Sequence, residues 1–212
     1  PRSTMSPMRF RLCLALLCLV ALPLAADEPY FQTGLIFPLN AEHNHSSSIV
    51  ELPGGDLLVC WYRGSGERQA DDVQLLAARK NRDSGWSDPF PLADTPNFPD
   101  ANPIFFTDSQ ARLHLMWPAI IANEWHTALL KYRNTLDYPL PGAEPRWDVS
   151  DSVLLIPRNF EERVAEWVKP LLKAETDPER KKYLEQLLEK AGSKYFRRMG
   201  WMPRTHPLEL PG

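Results

Sequence analysis

Between residues 46 and 156, short runs of apolar residues alternate with polar ones, and brief polar or Gly/Pro turns interrupt the runs. That two-residue period predicts half-buried strands. Residues 46–52 (SSSIVEL) form the first strand, Pro53-Gly54-Gly55 a tight turn, and residues 56–62 the returning strand. A polar loop, RGSGERQADD at residues 63–72, leads to a third strand at 73–80, a turn at 81–85 (NRDSG) and a fourth strand at 86–92. The order then restarts. Residues 103–107 and 112–117 flank the turn DSQA at 108–111, a third strand covers 125–133, and a fourth lies within 147–156. Two successive four-stranded meanders predict an all-β fold of the repeat kind seen in β-propeller blades.

The period changes after residue 157. Phe160, Val164, Trp167, Val168, Leu171 and Leu172 recur at helical spacing, with Asn159 and Glu162 at N-cap and N3 separation. Pro170 is expected to kink or end that helix. Thr176-Asp177-Pro178-Glu179 reads as a second capping box, followed by a face of Tyr183, Leu184, Leu187, Leu188 and Ala191, with Gly192 as C-cap. Residues 158–199 are thus expected to be a helical hairpin inserted into the β architecture, its Lys and Glu residues on a solvated face. Residues 200–212 then open the hairpin pattern a third time, since HPLELPG at 206–212 matches the first strand and turn, IVELPGG. The expectation is about two complete blades at 27–157, the start of a third, and a longer parent protein. Residues 32–39 are a candidate ring-closing strand.

Composition adds little to the fold and more to the setting. Apolar residues make up 43% and charged residues 24%, ordinary values for a globular chain. A net charge of -3 gives no pointer to nucleic acid or to an anionic membrane as partner. The 21 prolines suit short strands and turns better than a helical bundle. Met8-Arg9-Phe10-Arg11, the apolar run 12–24 and Ala25-Ala26 read as a signal peptide over residues 1–26, which predicts a secreted or periplasmic protein with no membrane attachment after cleavage. Cys13 and Cys18 fall in that segment. Cys60 is left alone in an apolar strand, so no internal disulfide is expected and Cys60 reads as a small buried hydrophobe.

Four stretches carry a resemblance: SSSIVELPGGDLLVCWYRG (46–64), GERQADDVQLLAARK (66–80), NRDSGWSDP (81–89) and NPIFFTDSQARLHLMW (102–117). Together they resemble the sialidase-like family of BNR, or Asp-box, repeat proteins over residues 31–157 and 195–212. The resemblance implies a six-bladed β-propeller, with the helical hairpin as an addition to the family pattern. It implies that Asp83, Gly85 and Trp86 are a shortened Asp-box, a structural turn and not a catalytic one. It also implies an exo-alpha-sialidase type of glycoside hydrolase, acting without a cofactor on terminal sugars of a glycan or glycoconjugate. In that family an Arg triad holds the sugar carboxylate, an Asp after the first hairpin is acid/base, and a Glu-activated Tyr is nucleophile, an exception to the two-carboxylate scheme. The Tyr, its Glu and the later Arg residues are expected beyond residue 212.

The candidate site residues follow from position. Asp71 and Asp72 stand where the family's acid/base Asp is expected, and Glu67 competes with them in the same loop. The family's first Arg is absent: the corresponding place reads HNHSSSI, so His43 and His45 are substrate-binding candidates. No third ligand accompanies this His pair, so no metal is expected. Arg63, at the end of the second strand, and Arg204 are candidate contacts for an anionic sugar, since a guanidinium grips a carboxylate with two parallel hydrogen bonds. His206 repeats the place of the first His pair, and Asn102 begins a strand expected to face the axis. His114 and His126 are expected to serve packing or edges. Two other readings stay open: a related hydrolase or lyase on another glycan, and a non-catalytic carbohydrate-binding or interaction propeller.

Overall fold

The structure, a computed structural model, describes residues 30–137, 144–202, 204 and 206–210. The expected export segment, residues 1–26, lies outside the described residues, as do Pro211 and Gly212. The chain divides into two units, Pro1–Leu35 and Ile36–Gly212. Every described strand and helix lies in the second.

Strands β1 (His43–Glu51), β2 (Leu57–Gly64), β3 (Gln74–Lys80) and β4 (Phe90–Ala93) form one antiparallel sheet in sequential order. Strands β5 (Ile104–Thr107), β6 (Leu113–Ile120), β7 (Ala128–Thr135) and β8 (Val149–Ser152) form a second sheet with the same order. Both meanders predicted from the alternation are therefore present. Two boundaries differ for local reasons. β1 starts at His43 because a bulge between His45 and Ser48, with Ser46 at φ 55°, lets pairing with β2 continue through the histidines. Trp125–Thr127, predicted to open a strand, is a 3-10 turn instead. Thr127 closes it by donating its N–H and its hydroxyl to the Glu124 carbonyl, at 2.8 and 2.7 Å, while the same hydroxyl accepts from the Ala122 N–H.

The sheets pack face to face through one apolar cluster. Leu58, Cys60, Tyr62, Leu75 and Ala77 of the first meet Phe105, Leu113, Leu115 and Trp117 of the second. These are alternate positions on each strand, as the pleat requires. Cys60 is fully buried, and burial pushes its thiol well above the usual range, which fits its reading as a small hydrophobe. Asp100, in the connection between the sheets, is also buried. It accepts from the Trp117 indole at 2.7 Å and from the Thr95 N–H and hydroxyl at 2.6 and 2.8 Å. The other face of the first sheet holds a smaller cluster of Val59, Trp61, Leu76 and Ala78, covered by Ile36, Phe37 and Trp86. Residues 32–39 form no strand; Phe37 stacks on Trp61 with ring centroids 4.9 Å apart.

The insert is a pair of helices, α1 (Phe160–Ala174) and α2 (Pro178–Gly192). Its caps differ from expectation. Asn159 occupies the N-cap of α1 in the left-handed region, φ 53°, and its side chain makes no capping bond, so the Asn159/Glu162 box does not form. α1 runs through Pro170 to Ala174. Pro170 is exposed, and the Glu166 carbonyl it leaves without a donor belongs to an exposed residue, so the lost bond is not a buried one. The cap of α2 is Asp177, one residue later than Thr176. Its carboxylate accepts from the N–H groups of Glu179 and Arg180, and Pro178 takes the first helical position. Gly192 is the last helical residue and Ser193 the C-cap. No helix among the described residues is long and apolar enough to cross a membrane.

The predicted Asp-box is also corrected. Trp86 packs on the small cluster as expected, but Asp83 is exposed and accepts no hydrogen bond among the described residues. Asp56, across the hairpin, takes the N–H of Arg82 and the Arg79 guanidinium instead. An Asp-led turn does occur in the second sheet, where Asp108 accepts from the N–H groups of Gln110 and Arg112. Residues 206–210 form no strand; they lie beside that turn, where Glu209 accepts from the Ser109 N–H and hydroxyl at 2.6 and 2.9 Å.

Candidate functional site

The acidic loop after β2 owes its shape to a close approach. A Cβ on Gly64 would meet the Val73 Cα at 2.9 Å, so only glycine lets the loop's two ends come together there. Asp72 closes the neck, accepting from the Ser65 N–H at 3.2 Å and its hydroxyl at 2.9 Å. Within the loop the Ala70 N–H bonds the Glu67 carbonyl at 3.0 Å. The second sheet holds it from the side. The Asn123 amide donates to the Arg68 carbonyl and to Asp71 Oδ1, both at 2.9 Å, and the Arg68 guanidinium lies over the Trp125 ring at 5.4 Å. Arg68 Nε is buried without a hydrogen-bond partner among the described residues.

Of the three candidate carboxylates, two are engaged in holding the loop: Asp72 at its neck and Asp71 against Asn123. Glu67 is different. Its Oε1 accepts from the Tyr62 hydroxyl at 3.0 Å, and its Oε2 is 3.7 Å from Arg68 Nη1. Tyr62 is fully buried at the end of β2. Burial first, and then the hydrogen bond and charge of Glu67, push the Tyr62 phenol well above its ordinary range, while Arg204 pulls weakly the other way. Tyr62 is therefore a neutral donor at physiological pH.

His43 and His45 stand against the Tyr62 ring. They are two apart on β1, so they share the face on which His45 is the cross-strand partner of Tyr62. Their ring centroids lie 5.7 and 5.6 Å from the Tyr62 ring and 5.6 Å from each other. Arg63, next to Tyr62, points to the opposite face by the same alternation. There it pairs with Glu42 at 3.1 Å, away from the His pair. Arg204 and His206 line a groove of about 220 Å³ with residues 46–49 of β1 and residues 102–104 leading into β5. Two non-glycine residues in that wall, Ser46 (φ 55°) and Asn102 (φ 42°), occupy the left-handed region. Such strain clusters where a backbone is shaped for function. β1 and β5 are tied there by the Phe105 N–H, which donates to Ser48 Oγ at 2.9 Å.

The structure thus brings His43 and His45 to Tyr62, the hydrogen-bond donor to Glu67, and gathers Asn102, Arg204 and His206 around one groove. It sets Arg63 apart. Sequence reasoning missed Tyr62, Arg68 and Asn123. The alternation through Cys60 does place Tyr62 on the inner face, but nothing local shows that a carboxylate five residues on folds back to it. Among the described residues, no three His, Cys, Asp or Glu side chains are grouped to hold a metal ion. His114 and His126 are packing residues: His114 stacks on Phe106 at 4.3 Å, and His126 packs against Tyr195 and Phe196. No protein-family model matches the chain, and no curated protein matches it.

Proposed function

We propose that the chain belongs to an exported, sialidase-type glycoside hydrolase, its two sheets being neighbouring blades of a β-propeller, and that it acts on a terminal sugar of a glycan or glycoconjugate. The observation that carries the reading is the grouping of a carboxylate hydrogen-bonded to a buried tyrosine (Glu67 with Tyr62), two imidazoles against that tyrosine ring, and Arg204, which acts electrostatically on Tyr62 and lines the groove beside β1. Hydrolysis of a glycosidic bond needs a proton-transfer group at the scissile oxygen or the attacking water, and groups that orient the ring hydroxyls. The acidic loop offers the first. His43, His45, Asn102 and His206 offer the second. Arg204 suits a sugar carrying a carboxylate, which a guanidinium binds in parallel hydrogen bonds.

One observation favours a second reading, a non-catalytic carbohydrate-binding propeller: Asp71 and Asp72 both serve as structural acceptors. The deciding experiment assays the protein as encoded on aryl glycosides of neutral sugars, uronic acids and sialic acid. Release of the aryl group with one sugar class is expected, acidic sugars first. Saturable binding of those sugars without release, measured calorimetrically, supports the second reading, and neither binding nor release overturns both.

A further inference from the structure

We infer that Glu67 is the proton acceptor of this site and that Tyr62 is its positioning residue. The inference rests on the glycosidase reading above and names the carboxylate that does the work.

The three carboxylates differ in what their partners hold together. Asp72 receives donors at both oxygens from Ser65, and Asp71 Oδ1 is taken by Asn123, so moving either to a substrate would open the loop. Glu67 receives no backbone N–H among the described residues. Its one close partner, the Tyr62 hydroxyl, comes from the rigid end of β2 and not from the loop. That partner is buried and stays neutral, so it donates and cannot compete for the proton. The Arg68 guanidinium is anchored over Trp125 and stands beside the second oxygen. The Tyr62 hydroxyl occupies one oxygen, and the second, 3.7 Å from Arg68 Nη1, keeps acceptor capacity for a water or a sugar hydroxyl. Rigid placement by the surrounding shell is what a catalytic group requires. The charged and titratable groups near the pair are His43 and His45 from β1, Arg68 from the loop and Arg204 from the segment after the helices.

In the step assigned, the oxygen of one water bonds to the anomeric carbon and the bond from that carbon to the oxygen it displaces, whether the aglycone's or an enzyme nucleophile's, breaks. Glu67 takes the water's proton. The proton then passes through solvent to the departing oxygen, which restores the carboxylate and consumes one water overall.

An activated aryl glycoside is the right probe, because a good leaving group masks loss of a general acid but not loss of a base. With the best substrate of the panel, Glu67→Gln should lower kcat by about 10²–10⁴-fold with KM changed by a few-fold at most. Added formate or azide should restore turnover to Glu67→Ala, since a small anion can fill the vacated place. Tyr62→Phe should lower kcat by about ten-fold and shift the acid limb of the pH–rate profile, which a purely structural residue would not move. Asp71→Ala and Asp72→Ala should lose activity together with thermal stability, and formate should restore neither. If Glu67→Gln retains turnover within three-fold of the parent, or formate rescues an Asp variant and not Glu67→Ala, the assignment is overturned while the glycosidase reading stands. A parent protein inactive on the whole panel removes the reading and the assignment with it.

Discussion

Each sheet carries a cluster in which a carboxylate, a tyrosine and histidine meet, and the two clusters are finished differently. In the second sheet, Asp108 accepts from two backbone N–H groups and bonds His114 at 2.9 Å, and the other His114 nitrogen bonds the Tyr132 hydroxyl at 2.8 Å. The Asn134 amide donates to that hydroxyl, and its carbonyl accepts from Arg112, which also pairs with Asp148. In the first sheet, Tyr62 and Glu67 bond each other, the His43 and His45 side chains make ring contacts and no hydrogen bond among the described residues, and Glu67 remains partly exposed. A saturated network fixes a fold; one with spare acceptors is equipped to bind something else. Under the proposed function, the same residue types serve structure in one sheet and chemistry in the other.

The largest way to break this contrast is to remove the carboxylate that closes the saturated network. Asp108→Ala strands two backbone donors and a half-buried histidine, and should cost about 2–3 kcal/mol, read as a lower urea midpoint with an unchanged slope. Gly64→Ala comes next. Its methyl would press on the Val73 backbone at 2.9 Å, so about 1–3 kcal/mol should be lost, together with any activity that depends on the loop.

Acid sharpens the comparison further. The hydrogen bond from His114, ahead of those from Arg112 and Gln110, holds Asp108 below the usual carboxylate range. A lowered folded-state value contributes stability above about pH 3.9, the unfolded value, and that contribution is lost as pH falls through the folded one. Asp100 has the opposite sign. Burial raises it to about 6 against the hydrogen bonds from Thr95 and Trp117, so it adds stability as pH falls from about 6 toward 3.9. Melting curves of the parent and Asp108→Asn between pH 7 and pH 3 should converge only below pH 4. Asp100→Asn should flatten the profile between pH 6 and pH 4. The smallest effect is at the open cluster itself: His45→Ala, at an exposed position, should change stability by about 0.5 kcal/mol or less, read from the same melts.

Alternation made both meanders legible, because a two-residue period with Pro-Gly turns has one physical solution. The helical pair was legible for the same reason at a different period. Caps and turns were less so: whether Thr176 or Asp177 caps a helix, or Asp83 or Asp108 organises a turn, depends on backbone geometry one residue either way. The candidate site was legible as a neighbourhood. Residues 63–72 drew notice by charge, and Arg204, His206 and Asn102 by repeat position. What stayed hidden were partners supplied across space: Asn123 from the other sheet, and Tyr62 from beneath the loop. Arg63 and Tyr62 are adjacent in sequence yet face opposite ways, and only the register of β1 against β2 separates their roles.

The most direct test measures turnover and melting temperature side by side for Glu67→Gln and Asp108→Asn. The account predicts that Glu67→Gln loses turnover and keeps its melting temperature, while Asp108→Asn loses melting temperature and, at a temperature where it is folded, keeps turnover. The reverse pattern, with Glu67→Gln unfolding early and retaining activity per folded molecule, would contradict the division between an open working cluster and a closed structural one.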